Sequence, residues 1–222
     1  MKPSTLQLSA VQFSYGTHTV FTDLNLTVEP GDILMLMGRN GSGKSTLLKL
    51  IAGLIHPVQG AISYGDVSFN SLTPNAISRL GVGYLMQGGG TFPSLTVEEN
   101  LAFAQSRGSS GKLRALSPAL KSVYSVVLPH LKKRAGLLSG GERQALAISM
   151  IVAQNPSVLL LDEPVAALSS ELSAATAKLI SVLCGESHCL AVIAEHNLSF
   201  AASLKARRFE LEPVVSVQLG PP

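Results

Sequence analysis

Residues Asp32–Met37 (D-I-L-M-L-M) form an apolar run that passes directly into Gly38–Thr46 (G-R-N-G-S-G-K-S-T). The second stretch satisfies the pattern G-x-x-x-x-G-K-[ST] at every specified position, and that pattern dictates a strand, a loop and a helix in this order. A buried strand over Asp32–Met37 feeds the loop, and a helix over Lys44–Ala52 leaves it. Gly41 and Gly43 permit the backbone turn, so that the loop Gly38, Arg39, Asn40, Gly41, Ser42, Gly43, Lys44, Ser45 and Thr46 converges its N–H groups on an anion. The positive end of the following helix points at the same anion. In such a loop Lys44 contacts the β and γ phosphates of a nucleotide, and the Ser45 hydroxyl binds Mg²⁺. The loop alone does not say which nucleotide-using machine it serves.

A chain of 222 residues has room for one large domain, or for a core with a subdomain. Its hydrophobic content of 46% against 14% charged residues suits an α/β protein with a buried parallel sheet. A net charge of +3 implies neither nucleic acid nor a lipid surface as partner, and Lys132-Lys133-Arg134 reads as a solvated face. Cys184 and Cys189 are too few for a disulfide framework, so a reducing compartment is expected. The opening M-K-P-S-T-L-Q-L lacks an apolar signal core. Gln144–Leu161 carries no charge, yet Asn155-Pro156-Ser157 interrupts it, and a polar turn at that depth is not tolerated against lipid. The stretch is read instead as a helix over Gly141–Gln154, a turn, and a strand over Val158–Leu161, in a soluble chain whose membrane-spanning partners, if any, are other proteins.

Strands are expected at Leu6–Phe13, Val20–Val28, Ala61–Tyr64, Gly83–Met86 and Cys189–Ala194. Helices are expected at Ala119–Leu128, Glu171–Leu183 and Ser199–Ala206, with a further one opened by the capping-box spacing of Thr96-Val97-Glu98-Glu99 and running through Ala104. Arg107–Lys112 (R-G-S-S-G-K) reads as a flexible loop. Strands alternating with helices around the phosphate loop give an α/β core with a mainly parallel sheet, preceded by an antiparallel β subdomain. The expected organisation is a single domain over 1–222, with residues 1–86 and 138–222 as core and 87–137 as an inserted helical subdomain.

Two further constellations carry chemistry. Val158–Leu161 runs into Asp162-Glu163-Pro164, which places two carboxylates at the C-terminal edge of a parallel sheet, where ligands sit in open α/β folds. Asp162 would hold Mg²⁺ through its water shell, while Glu163, facing differently, would polarise a water attacking the γ phosphate. Leu138-Ser139-Gly140-Gly141-Glu142 sets a serine and two glycines at the start of a helix, which makes either an anion site or a plain serine cap. That helix, about 14 residues and hence about 21 Å long, leads into the Asp162 strand. Its length suggests that Ser139 lies far from the nucleotide of its own chain and serves one held by another copy.

With these residues in place the chain resembles the ATP-binding subunits of ABC transporters over nearly its whole length. In that family the L-S-G-G signature of one subunit closes over the ATP held by another, and Ser139, Gly140 and Gly141 match it. The resemblance implies that Tyr15 stacks on adenine, that Gln87 touches Mg²⁺ or the attacking water, and that His196 contacts the γ phosphate. The other histidines, His18, His56, His130 and His188, match nothing and read as surface or structural. The implied cofactors are ATP and Mg²⁺. The implied partners are integral membrane transporter subunits and a second ATP-binding subunit, identical or not, with no nucleic acid. The implied place is peripheral, at the cytoplasmic face of the inner (plasma) membrane.

The chain departs from the family pattern at Ala166-Ala167-Leu168-Ser169, where Ser169 replaces an aspartate that crosses the subunit interface, and at Arg39, where proline is frequent. Phe92–Leu101, Gly141–Ile148 and Ala194–Asn197 look similar to the branched-chain amino acid and urea importer branch. The resemblance thus implies an ATP-hydrolysing subunit, most readily of an importer. A soluble ABC ATPase acting on nucleic acid and an exporter ATPase stay open, and a phosphate-loop kinase is a rival of another class. Because Lys44 brings the one full positive charge to the phosphates, Lys44→Ala is expected to weaken ATP binding strongly. Nucleotide titration with unchanged affinity would remove Lys44 from that role.

Overall fold

The computed structural model describes residues 3–106 and 118–212. The loop expected at Arg107–Lys112 lies outside them. Strands β1 (Leu6–Tyr15) and β2 (His18–Val28) form a hairpin whose burial alternates along the chain, as a half-buried antiparallel pair requires. The buried strand β3 (Ile33–Met37) follows, then the phosphate loop and α1 (Lys44–Ile51). Strands β4 (Gln59–Tyr64) and β5 (Val67–Ser68) return to the hairpin and complete a four-stranded antiparallel sheet of order β2-β1-β4-β5.

Helix α2 (Pro74–Arg79) was not expected from periodicity, although its signals stand in the sequence. Thr73 accepts a cap hydrogen bond from the Ala76 amide, and proline fills the first helical position. Strand β6 (Val82–Leu85) comes next, followed by α3 (Val97–Ser106), α4 (Pro118–Val127) and short 3₁₀ turns at Leu128–His130 and Ala135–Leu137. The remaining elements are α5 (Gly140–Ala153), β7 (Val158–Asp162), α6 (Ser170–Ser187), β8 (Leu190–Ala194), α7 (Leu198–Ser203) and β9 (Arg207–Glu210). Helix α7 ends earlier than the expected Ala206. Strand β9 (R-R-F-E) has no apolar run to reveal it, because it is an edge strand held by its pairing with β3.

The second sheet has the order β6-β7-β8-β3-β9 and is parallel throughout. Its central strands are buried on both faces, which is why they read as unbroken apolar runs. Leu34, Leu36, Val158, Leu160, Leu190 and Val192 pack towards α1 and the antiparallel sheet. Met35, Leu159, Leu161, Ala191 and Ile193 pack towards α5 and α6. Each such burial contributes roughly 1.5–3 kcal/mol. Every residue of α5 from Gln144 to Val152 is buried, so the charge-free stretch is an internal helix followed by a turn at Asn155 and strand β7. Among the described residues no helix is long and apolar enough to cross a membrane. Cys184 and Cys189 are free and buried.

The expected capping box is present, with the Thr96 amide donating to Glu99 Oε2 at 2.7 Å and the Glu99 amide to Thr96 Oγ1 at 3.3 Å. Behind it the fully buried Asn100 clamps the preceding turn. Its Oδ1 accepts from the Phe92 amide at 2.7 Å, and its Nδ2 donates to the carbonyls of Thr96 at 2.8 Å and Phe92 at 3.1 Å. Residues 93–98 are laced to 131–136 by amide–carbonyl bonds from Val97 to Lys133, Glu98 to Leu131, Ala135 to Leu95 and Gly136 to Pro93. Asn100→Ala would strand these groups, and it is expected to cost about 2–4 kcal/mol. Urea unfolding would register this as a lower midpoint, and an unchanged midpoint would show the clamp to be dispensable.

Candidate functional site

The C-terminal ends of β3, β6, β7 and β8 lie along one edge of the parallel sheet, and a cleft of about 460 Å³ opens there. Tyr15, Asn40, Gly41, Gly43, Lys44, Ser45, Thr46, Gln87, Asp162, Glu163 and His196 line it. A second cavity of about 410 Å³ lies at the opposite end of the strands, away from the edge where ligands of such sheets bind.

The phosphate loop is built as an anion cradle. Gly43 has φ +95°, and a Cβ there would come within 2.7–2.9 Å of Val20 and Phe21, so only glycine fits. Gly43 is also the N-cap of α1, with no side-chain cap and no acidic residue in the first turn. The leading N–H groups of α1 therefore face the cleft without a side-chain competitor. Lys44 Nζ folds back over the loop and donates to the carbonyls of Gly38 at 2.8 Å and Arg39 at 2.9 Å. Burial lowers the Lys44 pKa, against the raising influence of Glu163 and Asp162. Gly38, Arg39 and Ser42 shape the loop from behind and do not line the cleft; the Ser42 hydroxyl is buried with no partner among the described residues.

Asp162, at the end of β7, is buried. Its Oδ1 accepts from Ser45 Oγ at 3.0 Å and its Oδ2 from the Tyr84 hydroxyl at 3.4 Å. Burial raises its pKa, opposed by the Ser45 bond and reinforced by Glu163. Burial, with Asp162 beside it, also drives the Tyr84 phenol up, which keeps it a neutral donor. A desolvated carboxylate beside a hydroxyl is a hard oxygen pair that suits a small divalent cation keeping most of its waters.

Glu163 has φ +50°, which swings its side chain off the line of the strand. Its carboxylate accepts from Gln87 Nε2 at 2.9 Å, and His196 Nε2 lies 4.0 Å from its other oxygen. The three residues expected to act on an attacking water thus meet across three different loops. Ser139, Gly140 and Gly141 are not in the cleft. Helix length does not separate them from it, however. Strand β7 returns antiparallel to α5, so the start of α5 sits at the same end of the sheet as Asp162. A Cβ on Gly141 would come within 3.1 Å of the Ala167 carbonyl, and Gln144 Nε2 donates to the Pro164 carbonyl at 2.8 Å. The separation is sideways, across the cleft wall. Ser169, in place of the expected aspartate, caps α6 by accepting from the Leu172 amide at 3.3 Å.

Two contributors escaped the sequence reading. His18 is exposed, as its surface reading had it, and lines the cleft because it pairs with Tyr15 across the β1–β2 turn. Glu195 is 6% exposed, and its Oε1 accepts from the amides of His196 at 2.8 Å and Asn197 at 3.1 Å. Its Oε2 reaches the Val165 amide at 3.5 Å, so it ties the His196 loop to the segment after Glu163. A carboxylate directly after the apolar run of β8 was the available signal.

A strand–glycine loop–helix cradle, a strand-end carboxylate beside a hydroxyl and a second carboxylate at the mouth define a nucleotide-binding protein of the phosphate-loop class. Residues 21–166 match the ABC transporter family, and the chain belongs to that family. It is 37% identical over 176 residues to a Salmonella typhimurium protein named as a 2-aminoethylphosphonate import ATP-binding protein, PhnT, covering 76% of this chain and 45% of that one. It is 31% identical to the Fe(3+) ions import ATP-binding protein FbpC of Yersinia pestis bv. Antiqua, covering 99% of this chain and 63% of that one. The chain thus spans about half to two thirds of the length of these relatives. A dimeric structure of a bacterial ABC transporter cassette superposes with a TM-score of 0.80 at 25% identity, over 93% of this chain and 94% of that one.

The electrostatics of Asp162 give a signed expectation. Its folded-state pKa lies above the ordinary 3.8. The stability it confers is therefore complete below that ordinary value and is lost as pH rises through the raised one. Asp162→Asn, neutral at every pH, should match or exceed the wild type in thermal midpoint near pH 7, with the gap widening from acid to neutral pH. It should weaken divalent-cation-dependent nucleotide binding by about 10–100-fold. A variant that melts below the wild type at neutral pH would contradict this account.

Proposed function

We propose that this chain is the ATP-binding and ATP-hydrolysing subunit of an importer, acting as one of a pair and driving separate membrane-spanning subunits. It would sit peripherally at the cytoplasmic face of the membrane. The carrying observation is the meeting of Gln87, Glu163 and His196 at the mouth of a cleft floored by the phosphate loop. Import is supported by the names of the relatives. Those names concern a phosphonate and ferric ion, which favours importers in general over the branched-chain amino acid and urea branch. A kinase would have no use for the Ser139–Gly141 start of α5, and the net charge of +3 gives little support to a nucleic-acid machine.

Tyr15, 48% exposed and braced edge-on by Phe13, offers a face to the adenine, with His18 beside it. Lys44 turns from the Gly38 and Arg39 carbonyls to the β and γ phosphates, while the amides of the loop from Asn40 to Thr46 hold the remaining oxygens. Ser45 and Asp162 would hold Mg²⁺, with Gln87 lining the same cleft, and that ion would supply charge neutralisation along the phosphates. Glu163 takes a proton from water as the water oxygen bonds to the γ phosphorus and the bond to the β-phosphate oxygen breaks, leaving ADP and inorganic phosphate. His196 steadies the charge on the γ oxygens. The Gln87 amide donates to Glu163 Oε2, which leaves Oε1 to take the proton. Catalysis here is mainly positioning and charge stabilisation.

Ser139, Gly140 and Gly141 would act on the nucleotide of a second copy or a homologous subunit, closing each cleft with a helix N-terminus from across the interface. ATP bridging two chains only in the closed state shifts the open–closed population by its differential affinity. The membrane partner would dock near Gln87 and the helical region 87–137. Support comes from the half-exposed Leu54 and Met86, which flank a groove of about 240 Å³ with Pro74, Ile77 and Tyr84, and from the exposed Phe92–Phe103 pair.

Glu163→Gln keeps the shape and loses the base. It is expected to bind ATP normally, to lose about 100-fold or more in turnover and to accumulate an ATP-bound dimer on sizing; wild-type turnover would place the base elsewhere. For the cross-subunit assignment, Ser139→Arg and Lys44→Ala are each expected to be inactive alone. Their mixture should recover single-turnover hydrolysis at the one site that joins an intact phosphate loop to an intact Ser139. A bound nucleotide contacted by Lys44 and Ser139 of one chain would end the assignment.

A further inference from the structure

The start of α5 carries one carboxylate, Glu142, and one of its partners lies outside the signature residues. Ser139 and Glu142 form a reciprocal capping box, with the Glu142 amide donating to Ser139 Oγ at 3.3 Å and the Ser139 amide to Glu142 Oε2 at 2.7 Å. The other oxygen, Glu142 Oε1, lies 2.9 Å from His130 Nε2 in the 3₁₀ turn that ends the 118–130 helical stretch. Lys133, three residues beyond His130, acts on Glu142 in the same direction, and the Ser139 amide is the leading cause holding its carboxyl below the usual range.

We propose that His130 is a positioning residue for Ser139, acting through Glu142; the functional half of this rests on the ATPase reading above. A hydroxyl offers one hydrogen and two lone pairs. Ser139 Oγ spends a lone pair on the Glu142 amide, which leaves its hydrogen free to donate outward to a phosphate oxygen. The amides of Gly140 and Gly141, in the first turn of α5, have no acceptor earlier in the helix. The result is three donors aimed at an anion, next to a carboxylate that the same helix end attracts. Left loose, Glu142 would compete with the phosphate for those amides. His130 ties it back, so that Glu142 orients Ser139 without blocking the donors.

The 131–136 segment that begins immediately after His130 is laced to 93–98, on the chain from Gln87.

The test compares wild type, His130→Ala and His130→Gln as full-length chains, Gln retaining a side-chain donor for Glu142. Amide hydrogen exchange at 139–142 is read without nucleotide, and steady-state ATPase is read beside it. His130→Ala should speed exchange of the Ser139 amide several-fold and lower kcat about tenfold with KM for ATP nearly unchanged, as expected for losing one hydrogen bond to a charged group. His130→Gln should restore most of both. Unchanged exchange in His130→Ala overturns the positioning role. Faster exchange with unchanged kcat overturns its link to the reaction. A general loss of stability would move KM and kcat together and would not be rescued by Gln, and that pattern too overturns the proposal. The exchange comparison decides positioning whether or not the wild type hydrolyses ATP, so an inactive wild type counts against the proposed function alone.

Discussion

Parallel pairing of β6, β7, β8 and β3 is the constraint on which the site depends. Parallel strands all end at the same edge, so whatever follows each strand gathers there. Met37 gives way to the phosphate loop, Leu85 to Met86 and Gln87, and Ala194 to Glu195 and His196, while β7 itself ends in Asp162. Register sets the depth of each group. Asp162 stands opposite Ala194, and Ala194 opposite Leu36, so the carboxylate and the His196 loop leave the sheet at the level where the phosphate loop begins. The two apolar layers that bury this sheet on both faces keep that register, since a one-residue slip would exchange the inward residues of one layer for those of the other.

On this rigid edge the movable parts are tied in pairs. Gln87 to Glu163, Ser45 to Asp162 and Lys44 to the Gly38 and Arg39 carbonyls are all bonds that a nucleotide and its cation would replace with their own. These internal partners offset the cost of burying the polar groups that they join. Asp162 is the most desolvated of these groups, and burial raises its pKa despite the bond from Ser45. Glu195 is of the opposite kind. It is saturated by backbone amides from the His196 loop and from Val165, and it ties those loops together.

In the helical region hydrogen bonds link the turn at 92–96 to the capping box at Ser139. Asn100 fixes the turn at 92–96, the bonds between 93–98 and 131–136 join that turn to the approach to α5, and His130 reaches Glu142. The exposed Phe92 and Phe103 lie at the start of that linkage, and the capping box stands at its end.

Local chemistry made much of this legible in advance. The glycines and Lys44 specify a cradle because their backbone freedom and charge act within a few residues. The apolar runs at β3, β7 and β8 specify a doubly covered parallel sheet, and Thr96 and Ser139 announce helix starts through their own side chains. Strand β9 had no such signal, since its stability comes from its neighbour β3. The approach of Gln87 and His196 to Glu163, the cleft position of His18 and the grip of His130 on Glu142 join residues far apart in sequence or across a turn, so pairing and packing alone decide them. The return of the Ser139 end of α5 to the edge that bears Asp162 was decided in the same way. A helix length measures distance along one element, and only the antiparallel return of β7 says where that distance leads.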